Sequence, residues 1–445
     1  MAPLVEPARA TPVLGEFDVV VLGGGPAGLA AAVSAARHGA RTLLVERYGF
    51  LGGMGTAGGV TNFAGLYGRR DGQMQPLVRG VVDDLLLRIE ALGGLNAPQD
   101  GMQGRIRVRS YDIAAYKCAA DQWLGAAGVQ LLFHAWAAGV QMEGSRVAAL
   151  LVETKSGRRA IRAREFIDAS GDADLAHFAG VPYELGDGAG DALYPSTMFR
   201  IGGVDAARAQ AAVGEFGALD ALMEQARLDP DKRYDFPRRG ALLRPQRNPS
   251  EWRANVTQLR NAAGRAVDAT DALQLSAAEV EGRRQIVETM RFLNAEVPGF
   301  ENAEIAEIAA QVGVRETRRI QGEYRLSGED VLASARFADV IGLNAWPVEM
   351  HLAGRVEWAF PRDADNAYNH LPWRMLVPQG VGNLLVAGRC ASMEHLGQSA
   401  ARASGACFAM GQAAGTAAAL RVAGRFSVAA LQQRLCADGA ELDGG

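Results

Sequence analysis

The sequence predicts an α/β protein. Its main part is a parallel sheet covered by helices with an antiparallel three-stranded meander attached, and an α+β block is inserted between two lengths of that part. Three observations predict this. Residues 17–22, FDVVVL, are almost wholly apolar, as in a strand buried on both faces of a parallel sheet. A helical stretch and a second apolar strand, residues 41–45, follow directly. The strand pattern then thins after residue 183 and returns as NLLVA at 383–387. At 445 residues the chain is long for a single core, so two domains are expected.

Between the first two strands stand Gly23, Gly25 and Gly28, at Gly-x-Gly-x-x-Gly spacing. The first permits a tight turn, the second lets backbone approach a pyrophosphate, and the third lets the next helix pack closely on the sheet. That helix, residues 26–38, begins with Pro26 and Ala27, and its free N–H groups and dipole suit an anion. The second strand ends in Glu46, near the ~20-residue offset of a carboxylate that grips a ribose hydroxyl. Strand, glycines, helix, strand and acid in this order make a Rossmann dinucleotide site.

Arg47 and then LGGMGTAGG, residues 51–59, come next. Five glycines in nine residues suit neither helix nor strand interior, leaving a flexible surface loop or a second backbone segment against the ligand. An extended FAD needs such a segment and a nicotinamide cofactor usually does not. Met54 and Thr56 then lie near the flavin ring, with Gly53 and Gly55 also expected against the cofactor.

An amphipathic helix is expected at 80–92, with Val81, Leu85 and Ile89 on one face, then a loose loop through Pro98, Gly101 and Gly104. A helix at 111–127 leads to a third parallel strand, 129–133, after which the backbone near Ala137 can meet the adenine. Runs at 137–142, 146–152 and 160–167 read as a meander laid over the parallel sheet. The last run delivers Ala169, Ser170 and Gly171, small enough for backbone to approach a ligand.

In the middle block helices are expected at 276–294, behind a Ser276/Glu279 capping box, at 301–310 and at 330–341. After the returning strand come Gly388 and Arg389, then a helix rich in Ala, Gly and Ser at 398–420, whose start at Gln398 faces the ring. The expected organisation is a disordered lead-in at 1–15, a cofactor domain at 16–182 and 371–425, a substrate domain at 183–370, and a terminal helix and tail at 426–445.

The formal net charge is −4 with no basic tract, so neither nucleic acid nor an anionic membrane surface is an expected partner. No run reaches the ~20 apolar residues of a membrane span. Cys118, Cys390, Cys407 and Cys436 form no Cys-x-x-Cys pair, so no metal site is expected. They read as reduced thiols of a cytoplasmic protein. The first sixteen residues lack the features of a secretory signal.

Several motifs carry a family resemblance: DVVVLGGGPAGLAAA with LLVER, LGGMGTAGG, FIDASGDADLA from Phe166, VGVRETRRIQGEYRL from Val312, LPWRMLVP from Leu371, and NLLVAGR with MGQAAGTAAAL. Through them nearly the whole chain resembles FAD-dependent oxidoreductases of the glutathione-reductase-like superfamily, above all a subfamily of poorly defined bacterial members. The resemblance implies FAD held in a discontinuous Rossmann domain with an inserted substrate domain. The Cys-x-x-x-x-Cys pair of disulfide reductases is absent, as is a second glycine fingerprint for a dedicated NAD(P)H domain.

Flavin chemistry delivers a hydride to N5 and leaves negative charge near N1, which a helix N-terminus or an arginine such as Arg389 or Arg402 would stabilise. The resemblance places three groups on the substrate side: Arg315, Glu316 and Arg318; His370 and Arg374; His395 with Glu394. The arginines suit a carboxylate clamp or a structural ion-pair network. Either histidine suits a general base or a structural role. The expected activity is dehydrogenation of a small organic, carboxylate-bearing substrate. The electron acceptor is left open between O2, a quinone and NAD(P)+. A monooxygenase using NAD(P)H and O2 is the alternative, and a non-redox flavin-binding protein the third reading.

Overall fold

The structure, a computed structural model, describes residues 3–214, 218–229, 231 and 233–442. The apolar strand β1 (Val13–Leu22) runs into α1 (Pro26–Arg37) and then β2 (Thr42–Val45). Later segments add β3 (Gln130–Leu132), β4 (Trp136–Glu143), β5 (Arg146–Thr154) and β6 (Gly157–Asp168). They form one mixed sheet in the order β3-β2-β1-β6-β5-β4, with the strand Leu384–Val386 also paired to β6. β1 starts at Val13, so the lead-in expected over 1–15 is ordered strand in its last residues. Residues 1 and 2 lie outside the described residues.

β6 explains the shape of this sheet. One edge pairs with β1 along its whole length, from Val13↔Ala160 to Leu22↔Asp168. Its other edge pairs antiparallel with β5 near Ala160 and Ile161, then parallel with Leu384–Val386 from Phe166 onward. The meander is therefore a continuation of the parallel sheet, not a layer placed over it. Leu22, Val45, Asp168 and Val386 end at one level. The turns that follow them stand side by side, at the carboxyl edge where ligands of open α/β sheets bind.

The small-residue helix expected over 398–420 is two helices, α2 (His395–Ala401) and α3 (Ser404–Val422). The break at Arg402 and Ala403 comes where the strand-like segment near Ala64 crosses, and Ser404 Oγ hydrogen-bonds both Ala64 N and Ala64 O, at 2.9 and 3.0 Å. α3 lies directly on α1. A Cβ on Gly411 or Gly415 would overlap the carbonyls of Ala27 or Ala31, so these positions admit no side chain.

The middle block is richer in strands than expected. β7 (Phe199–Gly202), β8 (Leu242–Pro245), β9 (Trp252–Asn255) and β10 (Glu304–Ile308) form an antiparallel sheet in the order β8-β9-β7-β10. The long helix Ala272–Glu296 covers it through Ile286, Phe292 and Leu293, packed with Trp252 and Phe300. That helix starts earlier than its expected capping box. Asp271 is the cap, accepting from Leu273 N and Gln274 N, while Ser276 Oγ bonds back to Ala272 O. The helix expected over 301–310 is β10, because pairing with β7 overrides the helix-like spacing of Ile305 and Ile308. The one expected over 330–341 shrinks to Gly328–Leu332, followed by the strand Val340–Asn344. The loop expected through Pro98 is a hairpin, Leu95–Gly101 against Ile106–Tyr111. A further hairpin, β11 (Val348–Leu352) and β12 (Arg355–Ala359), completes the parts that matter below. Among the described residues no helix is long and apolar enough to cross a membrane.

Candidate active site

One cleft of about 310 Å³ runs from the glycine turns of the parallel sheet to the face of β8 and β9. Gly23, Gly25, Pro26, Ala27, Glu46, Arg47, Gly53, Met54, Gly55, Ala137, Ala169, Ser170, Gly171, Gly388 and Arg389 all border it. Gly25 caps α1 without a side chain, and the only atom near a Cβ built there is Gly53 Cα at 3.7 Å. The first-turn N–H groups of α1 thus stand between two strips of bare backbone, a cradle suited to a pyrophosphate. Glu46 is buried and tied to that turn: Oε2 accepts from Gly24 N at 2.6 Å and Oε1 from Tyr48 N at 3.0 Å. Arg389 ties the other turns together, donating to Gly171 O at 2.7 Å, Val314 O at 2.9 Å and Asp172 Oδ1 at 2.6 Å.

Three sequence-selected residues stand behind the cleft. A Cβ on Gly28 would overlap the Gly23 carbonyl oxygen, so this glycine serves helix–turn packing. Thr56 Oγ1 donates to Leu51 O at 2.6 Å and fastens the second glycine loop. Gln398 is fully buried, and its amide donates to Arg315 O at 2.8 Å. Sequence reasoning also missed Tyr48 and Trp136, which line the cleft beside Arg47 and Ala137. The Arg47 guanidinium lies over both rings, 5.1 and 5.5 Å from their centres, and Trp136 is 57% exposed at the mouth.

On the substrate side the expected set divides. Arg315 and Arg402 border the cleft. Arg318, His370, Arg374 and His395 do not, which corrects the expectation that they face the ring. Arg318 bonds Asp172 O and Asp174 Oδ1 at 3.0 and 3.1 Å. His370 is buried in the strand Asn369–Pro372, its Nδ1 accepting from Phe337 N at 3.0 Å. Arg374 pairs with Asp339 at 2.9 Å on the surface. His395 Nδ1 lies 2.9 Å from Glu316, a buried carboxylate that also pairs with Arg319 and accepts from Leu193 N. Glu394 accepts from Arg325 at 3.0 Å. These groups form ion-pair and hydrogen-bond networks within the fold.

The cleft is lined instead by Arg238, Arg244 on β8, Arg253 and Asn255 on β9, and Glu349 and His351 on β11. Their signal in the sequence is period-two spacing: Leu242 with Arg244, Arg253 with Asn255 and Glu349 with His351 each share a face. Glu349 accepts from His351 Nε2 and Trp346 Nε1, both at 3.0 Å, and lies 3.6 Å from Arg402. Burial pushes its carboxyl upward, but His351, Arg402 and Trp346 outweigh that and hold it far below the usual range. Burial, then the charge of Arg315, pushes His351 down to about 3 against the pull of Glu349. An ionised Glu349 only accepts, so Nε2 of the neutral imidazole carries the proton and Nδ1 keeps a lone pair. Burial is also the first cause that lowers Arg253 to about 9 and Arg238 to about 10.

The depressed His351 has a measurable consequence. An unfolded histidine titrates near ~6.5, so between that pH and about 3 the folded protein binds fewer protons than the unfolded chain. The stability from this residue is therefore present at pH 7 and lost as pH falls through that window. Melting curves from pH 7 down to 4 should show a falling Tm for the parent and a shallower fall for His351→Gln. Equal slopes would place the imidazole in an ordinary environment.

An anion cradle at the carboxyl edge of parallel strands, opening onto an arginine-lined pocket, is the geometry of a dinucleotide-binding protein. The chain belongs to the FAD dependent oxidoreductase family, which it matches over residues 18–438, and its cofactor is FAD. The dihydrolipoyl dehydrogenase of Trypanosoma brucei brucei is 51% identical over 45 residues, 10% of this chain and 9% of that protein. The chain thus matches about a tenth of that relative's length. A geranylgeranyl bacteriochlorophyll reductase-like protein of Thermoplasma acidophilum aligns with TM-score 0.48 and 14% identity, over 96% of this chain and 84% of that one. The p-nitrophenol 4-monooxygenase of Pseudomonas putida DLL-E4 aligns with TM-score 0.47 and 12% identity, over 94% and 83%.

Proposed function

We propose that this enzyme dehydrogenates a small carboxylate-bearing molecule. In this reading residues 16–182 and 371–425 make a glutathione-reductase-like FAD domain, and residues 183–370 supply the substrate pocket. The observation that carries the reading is the continuity of the cleft: glycine cradle at one end, buried arginines at the other, with Met54, Gly55 and Gly388 on its walls. FAD, when bound, supplies a hydride acceptor at N5. The chain does the rest. Arg315 and Arg402 hold a carboxylate, for which the planar guanidinium is suited. Phe63, Trp346 and Trp358 give the pocket apolar walls and keep water out. His351 Nδ1 accepts the proton from a substrate O–H or N–H as the hydride leaves the adjoining carbon, so that a C=O or C=N bond forms. Glu349 holds the imidazole in the tautomer that leaves Nδ1 free.

The test is to purify the yellow protein, exclude oxygen, and screen small carboxylic acids for loss of flavin absorbance. Bleaching by one of them without added nucleotide is the expected result. Bleaching only by NADPH, with oxygen uptake that needs both NADPH and the organic molecule, would replace dehydrogenation by monooxygenation. A flavin that no metabolite reduces would point to a non-redox role.

A further inference from the structure

We propose that the substrate carries at least two carboxylates, and that Arg244 and Arg253 hold the second one. This rests on the reading in which Arg315 and Arg402 take the first. A row of arginines crosses the middle sheet in register, Arg200 opposite Arg253 and Arg253 opposite Arg244. Like charges placed directly opposite on neighbouring strands repel. At one end of the row the repulsion is offset, because Arg200 pairs with Glu251 at 3.2 Å and Glu307 at 2.8 Å. At the cleft end no carboxylate among the described residues forms an ion pair with Arg244 or Arg253, and Glu349 acts on both only as a nearby charge. Arg253 donates to Val60 O at 2.6 Å and contacts Met198 Sδ at 3.4 Å, both uncharged. Among the described residues the Arg244 guanidinium has neither a hydrogen bond nor an ion pair, although it lines the cleft.

The charge balance of this half of the cleft points the same way. Arg238, Arg244, Arg253, Arg315 and Arg402 border it, and Glu349 is the acid among them. Arg238 is satisfied by backbone carbonyls and Asn255, but Arg402 Nε is buried without a partner. Buried charge is costly unless paired. One carboxylate at Arg315 and Arg402 would leave the Arg244–Arg253 pair with Glu349 as a nearby charge and no carboxylate in contact. The lining also includes Leu242, Val356, Trp346 and Trp358, which suits a carbon skeleton joining the two carboxylates.

The test uses the full FAD-loaded chain and needs no turnover. Acetate, succinate, citrate and inorganic phosphate are titrated, with binding read from perturbation of the flavin spectrum and from Tm. Succinate or citrate should bind at least tenfold tighter than acetate. Arg244→Gln should weaken succinate at least tenfold, leave acetate within twofold, and raise the Tm of the unliganded protein by relieving repulsion. Arg244→Lys, which keeps the charge, should hold succinate within threefold of the parent. Equal affinity for acetate and succinate, or unchanged succinate binding in Arg244→Gln, would overturn the proposal. Phosphate binding tighter than either acid, and lost in Arg244→Gln, would overturn the carboxylate assignment. Charge-dependent binding of succinate without flavin bleaching by any dicarboxylate upholds this site and removes the dehydrogenation reading instead.

Discussion

Gly25→Ala yields a protein that folds and no longer keeps its FAD. The residue sits at φ −77°, which alanine adopts freely, and the methyl group would meet only Gly53 Cα at 3.7 Å. Nothing in the fold opposes the change. The methyl group does project into the gap between the two glycine strips, where the pyrophosphate has to approach backbone. We expect FAD affinity to fall at least a hundredfold, about 2.7 kcal/mol. Flavin-to-protein ratio after purification and the Tm of the apoprotein measure the two halves of this statement. The first should collapse, and the second should stay within a few degrees of the parent apoprotein. A variant that stays fully yellow would mean that the cradle does not hold the coenzyme. Gly28→Ala makes the contrast, because its methyl group would overlap the Gly23 carbonyl and damage the fold itself.

His351→Gln should slow anaerobic flavin reduction by about a hundredfold to ten-thousandfold, the range for loss of a positioned base. Glutamine can still donate to Glu349 and fills similar space, so substrate affinity and the flavin spectrum should change little. The pH profile is the sharper readout. In the free enzyme Arg315 and Arg402 help to press the imidazole down to about 3. A bound anion neutralises those charges, so the parent rate should rise with pH through an inflection above that value. In the variant the inflection should vanish. An unchanged rate and profile would show that the proton leaves by another group.

The cofactor half was legible because its signal is local. An apolar run, three glycines and an acid stand within one short stretch, and β1, α1 and β2 place them as that order implies. The pocket half was not, because register across an antiparallel sheet is decided by tertiary pairing. Nothing near Arg244 or Arg253 announces that the two residues will face each other. The extended segment around residue 315 shows the same limit. Arg315 turns toward the cleft, whereas Glu316 and Arg319 turn toward His395 and Glu184. The arginine-rich motif therefore contains one charged cleft residue, Arg315, beside a structural network, and contiguous sequence cannot separate them. His370 lies in the strand Asn369–Pro372 and His395 opens α2, and neither borders the cleft. His351 lies inside β11, where strand alternation aims it into the pocket.

The contact of α3 with α1 has a consequence for biosynthesis. The glycine turn leaves the ribosome well before the glycine-notched helix that backs it, because most of the described chain lies between them. Contacts so distant along a chain are slow to close. Until they form, α1 has an apolar flank open to water, and a nascent polypeptide that has not yet made α3 is expected to take up the coenzyme poorly.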